Sequence, residues 1–221
     1  MDLLPLYLSI KLAVVSTVVL IILAAPLSYV FVFYRLPGKS FLEALINLPI
    51  VLPPTVLGFY LLVVMGPKGW LGNAWEAMFG SPLLFTFTGI VIASLIYSLP
   101  FAVAPMKSVF TRIDRRLVEN AQVLGLHPVA IFSRVILPNS LTGVAASAIL
   151  VFLHTIGEFG VILMVGGSIP GKTKVASIAI YESVEALRYH DAWLMSITLV
   201  PVCYVFLLLV NRLTPEVGNG S

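Results

Sequence analysis

Five long runs without Asp, Glu, Lys or Arg set the pattern of this chain: residues 12–34, 44–67, 77–106, 135–157 and 192–211. Each reaches the roughly 20 residues that a helix needs to cross about 30 Å of hydrocarbon. The runs are continuous rather than alternating, so they read as helices and not as barrel strands. The third run is longer than one span needs, and its first part, 77–82, reads as loop. Between the runs lie two polar sections, 113–134 and 166–191. Within the second, 175–188 is amphipathic and too polar to span, which predicts a helix lying at the membrane surface.

Composition agrees with that pattern. The chain has 221 residues, 59% of them hydrophobic and 10% charged, with a mean hydropathy of +1.04. Ordinary soluble domains carry about 25% charged residues, so lipid must serve as the solvent for this surface. The expectation is an all-α, polytopic bundle of five transmembrane helices forming a single domain over 1–221. The basic residues are unevenly placed. Arg35 and Lys39, then Lys107, Arg112, Arg115, Arg116 and Arg134, then Arg212 make eight of the 13, and five spans put all three groups on one face. Basic loops stay in the cytoplasm, which predicts an external N-terminus and a cytoplasmic C-terminus. Asp2 stands where a signal peptide would be basic, and the first run is too long for one, so it reads as a retained span. The net charge of +3 reflects these loops and carries no signal for nucleic acid. The single cysteine, Cys203, excludes an internal disulfide and a thiolate metal cluster. No internal repeat is visible, which disfavours an inverted-repeat carrier.

Three motifs carry the candidate chemistry. In the longest basic loop, Glu119, Ala121 and Gly125 precede Phe132 and the pair Leu137-Pro138. Gly125 suits the left-handed end of a short helix and Pro128 suits the first turn of the next. Small residues along such a helix would let it seat in a partner's groove, with Phe132 as an apolar anchor; an ordinary capped loop is the plainer alternative. In the second span, Pro49, Pro53 and Pro54 remove backbone donors and bend the helix. Thr55 and Gly58 would then line a path, or the kink simply packs. At the far end of the fourth span, Gly157, Glu158 and Gly160 place a carboxylate between two flexible points. An intramembrane carboxylate is a functional candidate, as an external gate or the cap of a helix break; a side chain snorkelling to water is the alternative. His154 stands one turn earlier, but a metal site has too few ligands here. No phosphate-binding loop and no hydrolase motif occurs, so neither ATP binding nor catalysis is expected, and no cofactor.

Together, LPGK at 36–39, NLPIVLPPTVLGFYLL at 47–62, the 119–138 loop, GEFG at 157–160 and SIPGKTK at 168–174 resemble the molybdate permeases of ABC importers over nearly the whole chain. Asn120 and Val135 depart mildly from the usual loop pattern, where Ala and Ile are common. Tungstate and sulfate permeases share the loop and variants of the proline-rich span. The resemblance implies a type I importer permease with a cytoplasmic coupling helix. It also implies a homodimer in the cell membrane, two separate ABC ATPase subunits, and an extracytoplasmic oxyanion-binding protein. Glu119, Ala121, Gly125, Phe132, Leu137 and Pro138 would couple to the ATPase. Pro53, Thr55, Gly58, Gly157, Glu158 and Gly160 would form the path or its gate. An ion-gradient carrier, which should show ionisable groups mid-span, and a membrane enzyme are the other classes.

Overall fold

The computed structural model describes residues 2–213, so the single domain expected over 1–221 extends past the described residues at both ends. Every regular element among them is helical: α1 (Leu4–Phe33), α2 (Lys39–Val51), α3 (Pro54–Met65), α4 (Trp70–Phe79), α5 (Phe87–Phe110), α6 (Arg115–Val123), α7 (Pro128–Ile131), α8 (Leu141–Ile156), α9 (Gly160–Gly166), α10 (Ala176–Glu185) and α11 (Tyr189–Leu213). Four helices are long and apolar enough to cross a membrane, and α2 with α3 makes a fifth, broken span bent by 113°. Four of the five predicted spans are thus single long helices, and the stretch predicted as the second is the bent pair α2–α3, which makes five if the pair is counted as one span. The second is far more sharply broken than a kink.

The centre is the trio α1, α5 and α8, on which α2, α9 and α11 pack. Hydrophobicity does not select the inward face of α1, because that helix is apolar all round. That face mixes small residues with a few large ones. Leu12, Ala13, Ser16, Leu20, Ala24 and Ser28 recur at helical spacing and are all buried. Ala102 of α5 and Ala146 and Ser147 of α8 answer them. Small residues let backbones approach where lipid offers no hydrophobic drive between helices. At Gly143 of α8 a Cβ would fall 2.5 Å from Val109 Cγ2, so this crossing tolerates no side chain.

The break between α2 and α3 follows from two adjacent prolines. A residue before proline is pushed out of the helical region. Leu52 and Pro53 each precede one, and their ψ angles are 138° and 135°. The chain turns there, and the Pro53 carbonyl restarts the ladder by accepting from Val56 N (2.9 Å) and Leu57 N (3.2 Å). Pro54 opens α3 at its first position, where no donor is needed. Near the loop end of α2, Lys107 of α5 reaches Glu43 at 2.5 Å and ties α2 to the trio.

Two elements lie outside the sequence expectation. The polar-flanked connection 66–82, for which no helix was expected, holds the ten-residue helix α4 with Trp70 and Trp75. After Glu158 the chain makes a second short helix, α9, which packs on α3 and α5. A helix, α10, stands within the stretch 175–188 that predicted one, but the loop expected at 77–82 is only half correct: residues 77–79 belong to α4, and the connection to α5 runs over 80–86. A Cβ on Gly72 of α4 would lie 2.0 Å from the Gly66 carbonyl oxygen and 2.3 Å from that of Met65. Gly72→Ala should therefore destabilise the protein by about 1–3 kcal/mol, read as a fall in melting temperature. Unchanged melting would show that α4 is not seated there.

Candidate functional site

The basic end of the bundle carries a protruding knob. It begins at Asp114, whose carboxylate accepts from Arg116 N at 2.9 Å and caps α6. It ends at Gly125, whose φ of +75° lies in the left-handed region. Leu126 N donates to Ala121 O (3.0 Å) and Gly125 N to Gln122 O (2.9 Å). This double closure satisfies the last carbonyls of α6 and needs glycine at that position. Val118 and Ala121 turn inward against Ile113, Ile131 and Ile136. Ala121 is 5% exposed, so it seats the knob on its own chain and is not the small face offered to a partner. Glu119 and Gly125 are exposed. The outward apolar surface is made by residues the sequence reading passed over: Val123 (87% exposed), Leu124 (79%) and Val129 (68%). Their signal was present, as bulky apolar side chains in an otherwise polar loop.

Phe132 is the anchor. Its ring lies 5.3 Å from that of Tyr29 on α1, which also meets Phe33 (5.2 Å) and Tyr34 (5.7 Å). From Phe132 to Ile136 the helix widens to a turn in which Leu137 N donates to Phe132 O at 2.9 Å. Leu137 is half-buried, and Pro138 opens a tight turn leading into α8. Pro138 lacks a donor. Asn139 Nδ2 to Val135 O (2.7 Å) and Ser140 Oγ to Ile136 O (2.6 Å) satisfy carbonyls that this irregular stretch leaves open. The knob is thus joined to α1 by aromatic contact and to α8 through the backbone.

The second constellation lies at the broken ends of α3 and α8. Pro53 and Thr55 are exposed. Gly58 is buried, and a Cβ there would meet Met164 Cβ at 2.8 Å and Val161 Cα at 3.2 Å. Gly58 is accordingly the crossing point of α3 with α9 and lines no open surface. Gly160, at the start of α9, faces Pro54, with a Cβ placed 3.0 Å from Pro54 Cβ. The fold therefore brings Thr55 and Gly160 together, one at each broken end. Gly157 is exposed at the end of α8.

Glu158 does not reach water. It is 4% exposed, which sets aside the snorkelling alternative. Ser94 Oγ of α5 donates to its Oε2 at 2.7 Å, and Ser177 Oγ of α10 donates to its backbone oxygen at 2.6 Å. Its other carboxyl oxygen has no protein partner. One residue in the break thus ties α5 and α10 to the joint between α8 and α9. His154 does not pair with it. The imidazole Nδ1 lies 2.9 Å from Ser98 Oγ and the ring stacks on Phe101 at 4.0 Å. Among the described residues no group of metal ligands forms. Ser94 and Ser98, four apart in an apolar span, were the sequence signal for this cluster.

A broken-helix bundle with small-residue crossings and a basic-end knob defines a polytopic membrane permease. The chain belongs to the family described as "binding-protein-dependent transport system inner membrane component", whose model matches residues 17–219. It is a multi-pass inner-membrane component of that class. It is 44% identical over 194 residues to a molybdenum transport system permease protein of Azotobacter vinelandii, covering 87% of this chain and 86% of that protein. A putative molybdenum transport permease of Bacillus subtilis is 32% identical over 94% of this chain and 92% of its own length. A probable sulfate transport permease of Chlorella vulgaris is 32% identical over 92% and 76%. Among solved structures, a bacterial ABC transporter involved in alginate import superposes with a TM-score of 0.77 at 17% identity, over 98% of this chain and 80% of that one. That likeness concerns the fold alone.

Replacing Glu158 separates its size from its charge. Glu158→Ala removes the short acceptor of Ser94 Oγ, leaves it only Thr155 Oγ1 at 3.4 Å beside a void, and should cost about 2–4 kcal/mol. Glu158→Gln keeps the acceptor and the volume and should stay within about 1 kcal/mol of the parent. Thermal unfolding of the purified chain reads both. Equal losses would show that the negative charge, not the hydrogen bond, holds the joint.

Proposed function

We propose that this chain is the membrane pathway of an ATP-driven importer for a tetrahedral oxyanion, with molybdate as substrate and sulfate or tungstate as the alternative. The substrate assignment leans on the two molybdenum permease relatives, one of them 44% identical. The observation that carries the coupling role is the knob. Val123, Leu124 and Val129 stand in water at the basic end, where an isolated apolar surface signals a protein partner. That partner is an ATPase subunit. The basic end is then cytoplasmic, in line with the distribution of Arg and Lys, and the N-terminus is external. Closure of two ATPases would move two knobs, and the motion passes through Phe132 to α1 and through 132–140 to α8.

Thr55 and Pro53 lie open on the surface of a single chain beside exposed Val51, Phe59 and Tyr60. A path that includes them needs a second wall. A second copy, related by a two-fold axis, supplies it with the fewest distinct contacts. An external binding protein, as the family description implies, delivers the ion to the end bearing α10. Thr55 and the backbone at the breaks near Pro53 and Gly160 offer weak polar contacts, which suit an ion that must also leave. Glu158 holds the joint behind them and does not touch the anion.

Val123→Asp with Leu124→Asp should weaken co-purification with the cognate ATPase by roughly 30-fold or more, with the melting temperature preserved. Undiminished association would remove the docking role. Gly125→Trp is expected to abolish association too, but it also strains the left-handed turn, so the aspartate pair is the cleaner variant. For the substrate, liposomes holding the permease, ATPase and binding protein should accumulate molybdate on addition of ATP. Uptake of sulfate in preference to molybdate would favour the alternative.

A further inference from the structure

The exposed face of α6 that carries Arg115 and Glu119 lines a groove of its own. Arg115, Glu119 and Gln122 stand on one helical face, opposite Tyr34, Arg35 and Lys39 at the foot of α1 and the start of α2, around about 510 Å³. Three cations face a single carboxylate. Among the described residues Arg35 and Arg115 form no ion pair, and Lys39 only approaches Glu43 at 4.0 Å, whose carboxylate oxygen Lys107 already holds at 2.5 Å. The groove therefore carries an excess of positive charge.

Its depth in the membrane follows from α1. The charge-free run 12–34 is long enough to cross the hydrocarbon and ends at Tyr34. Exposed Tyr34 has the amphipathic ring typical of the interface. Arg35 then falls at headgroup level. Just beyond, Phe41 and Leu45 of α2 are exposed at 72% and 55%, an apolar surface on which acyl chains can lie. Guanidinium groups match a phosphate's oxygens in pairs.

We propose that this groove binds the phosphate of an anionic phospholipid, clamped between Arg35 at the foot of α1 and Arg115 on the exposed face of α6. The ligand chemistry is that of a tetrahedral phosphate oxyanion, and the membrane is its source. Bound there, the lipid braces α6, and with it the knob, against the foot of α1. This inference needs only that α1 spans the membrane, and it stands whether or not the ATPase docks on Val123 and Leu124.

The test uses the full chain purified in neutral detergent, without ATPase. Adding phosphatidylglycerol should raise the melting temperature by about 4 °C, whereas phosphatidylcholine leaves it unchanged. Arg35→Gln with Arg115→Gln should weaken phosphatidylglycerol binding on the order of 10-fold or more and abolish that rise. Arg116→Gln, outside the groove, should keep it, and Arg35→Lys with Arg115→Lys should restore part of it. Inorganic phosphate and molybdate at millimolar concentration should have no effect. Stabilisation by the free ions alone would overturn the lipid assignment. A lipid response that survives the double glutamine variant would overturn the site.

Discussion

In hydrocarbon every backbone donor and acceptor must find a partner within the protein, and this requirement shapes the chain more than any single contact. Long uninterrupted helices meet it without help. Three places here depart from helix inside or beside the apolar zone, and each is repaired locally. The Pro53 carbonyl takes up Val56 N and Leu57 N. Asn139 and Ser140 cover carbonyls around Pro138. Ser177 covers the carbonyl of Glu158. The broken elements lie against α5, α8 and each other, where such repair is available.

The functional geometry grows from those departures. Breaking the second and fourth spans brings α3 and α9 side by side, and glycine permits the contact at both Gly58 and Gly160. The Glu158 carboxyl then ties the break to α5. A regular five-helix bundle would have neither short helix and no polar joint. At the other end, the wide turn at Phe132 and the tight turn at Pro138 set the knob apart from α8 while keeping it attached.

Much of this was legible in the residues. Charge-free runs located the spans, prolines located the sharp bend, and Gly125 marked the end of α6. What escaped reading had a common cause. Apolar runs carry no helical stripe in lipid, so hydrophobicity could not say which side of α3 packs, and Gly58 looked as free to line a path as Thr55. Ala121 was taken for part of a docking face because small residues suit grooves. In water the rule that governs is burial of the nearest core, and α6 buries Val118 and Ala121 on Ile131 and Ile136. The short α9 follows a charge and two glycines, a combination with no periodic signature.

The small residues on the inner stripe of α1 have an evolutionary corollary. Its outward positions, such as Val14, Val18 and Ile22, are 48–66% exposed, and exchanges among Leu, Ile, Val and Phe there are expected to disturb packing little. Ala13, Ser16 and Ala24 are fully buried, and added volume there is expected to cost stability. Mutational drift along this helix is therefore expected to be gated by volume rather than by polarity, the reverse of the filter that acts on a surface helix of a water-soluble protein.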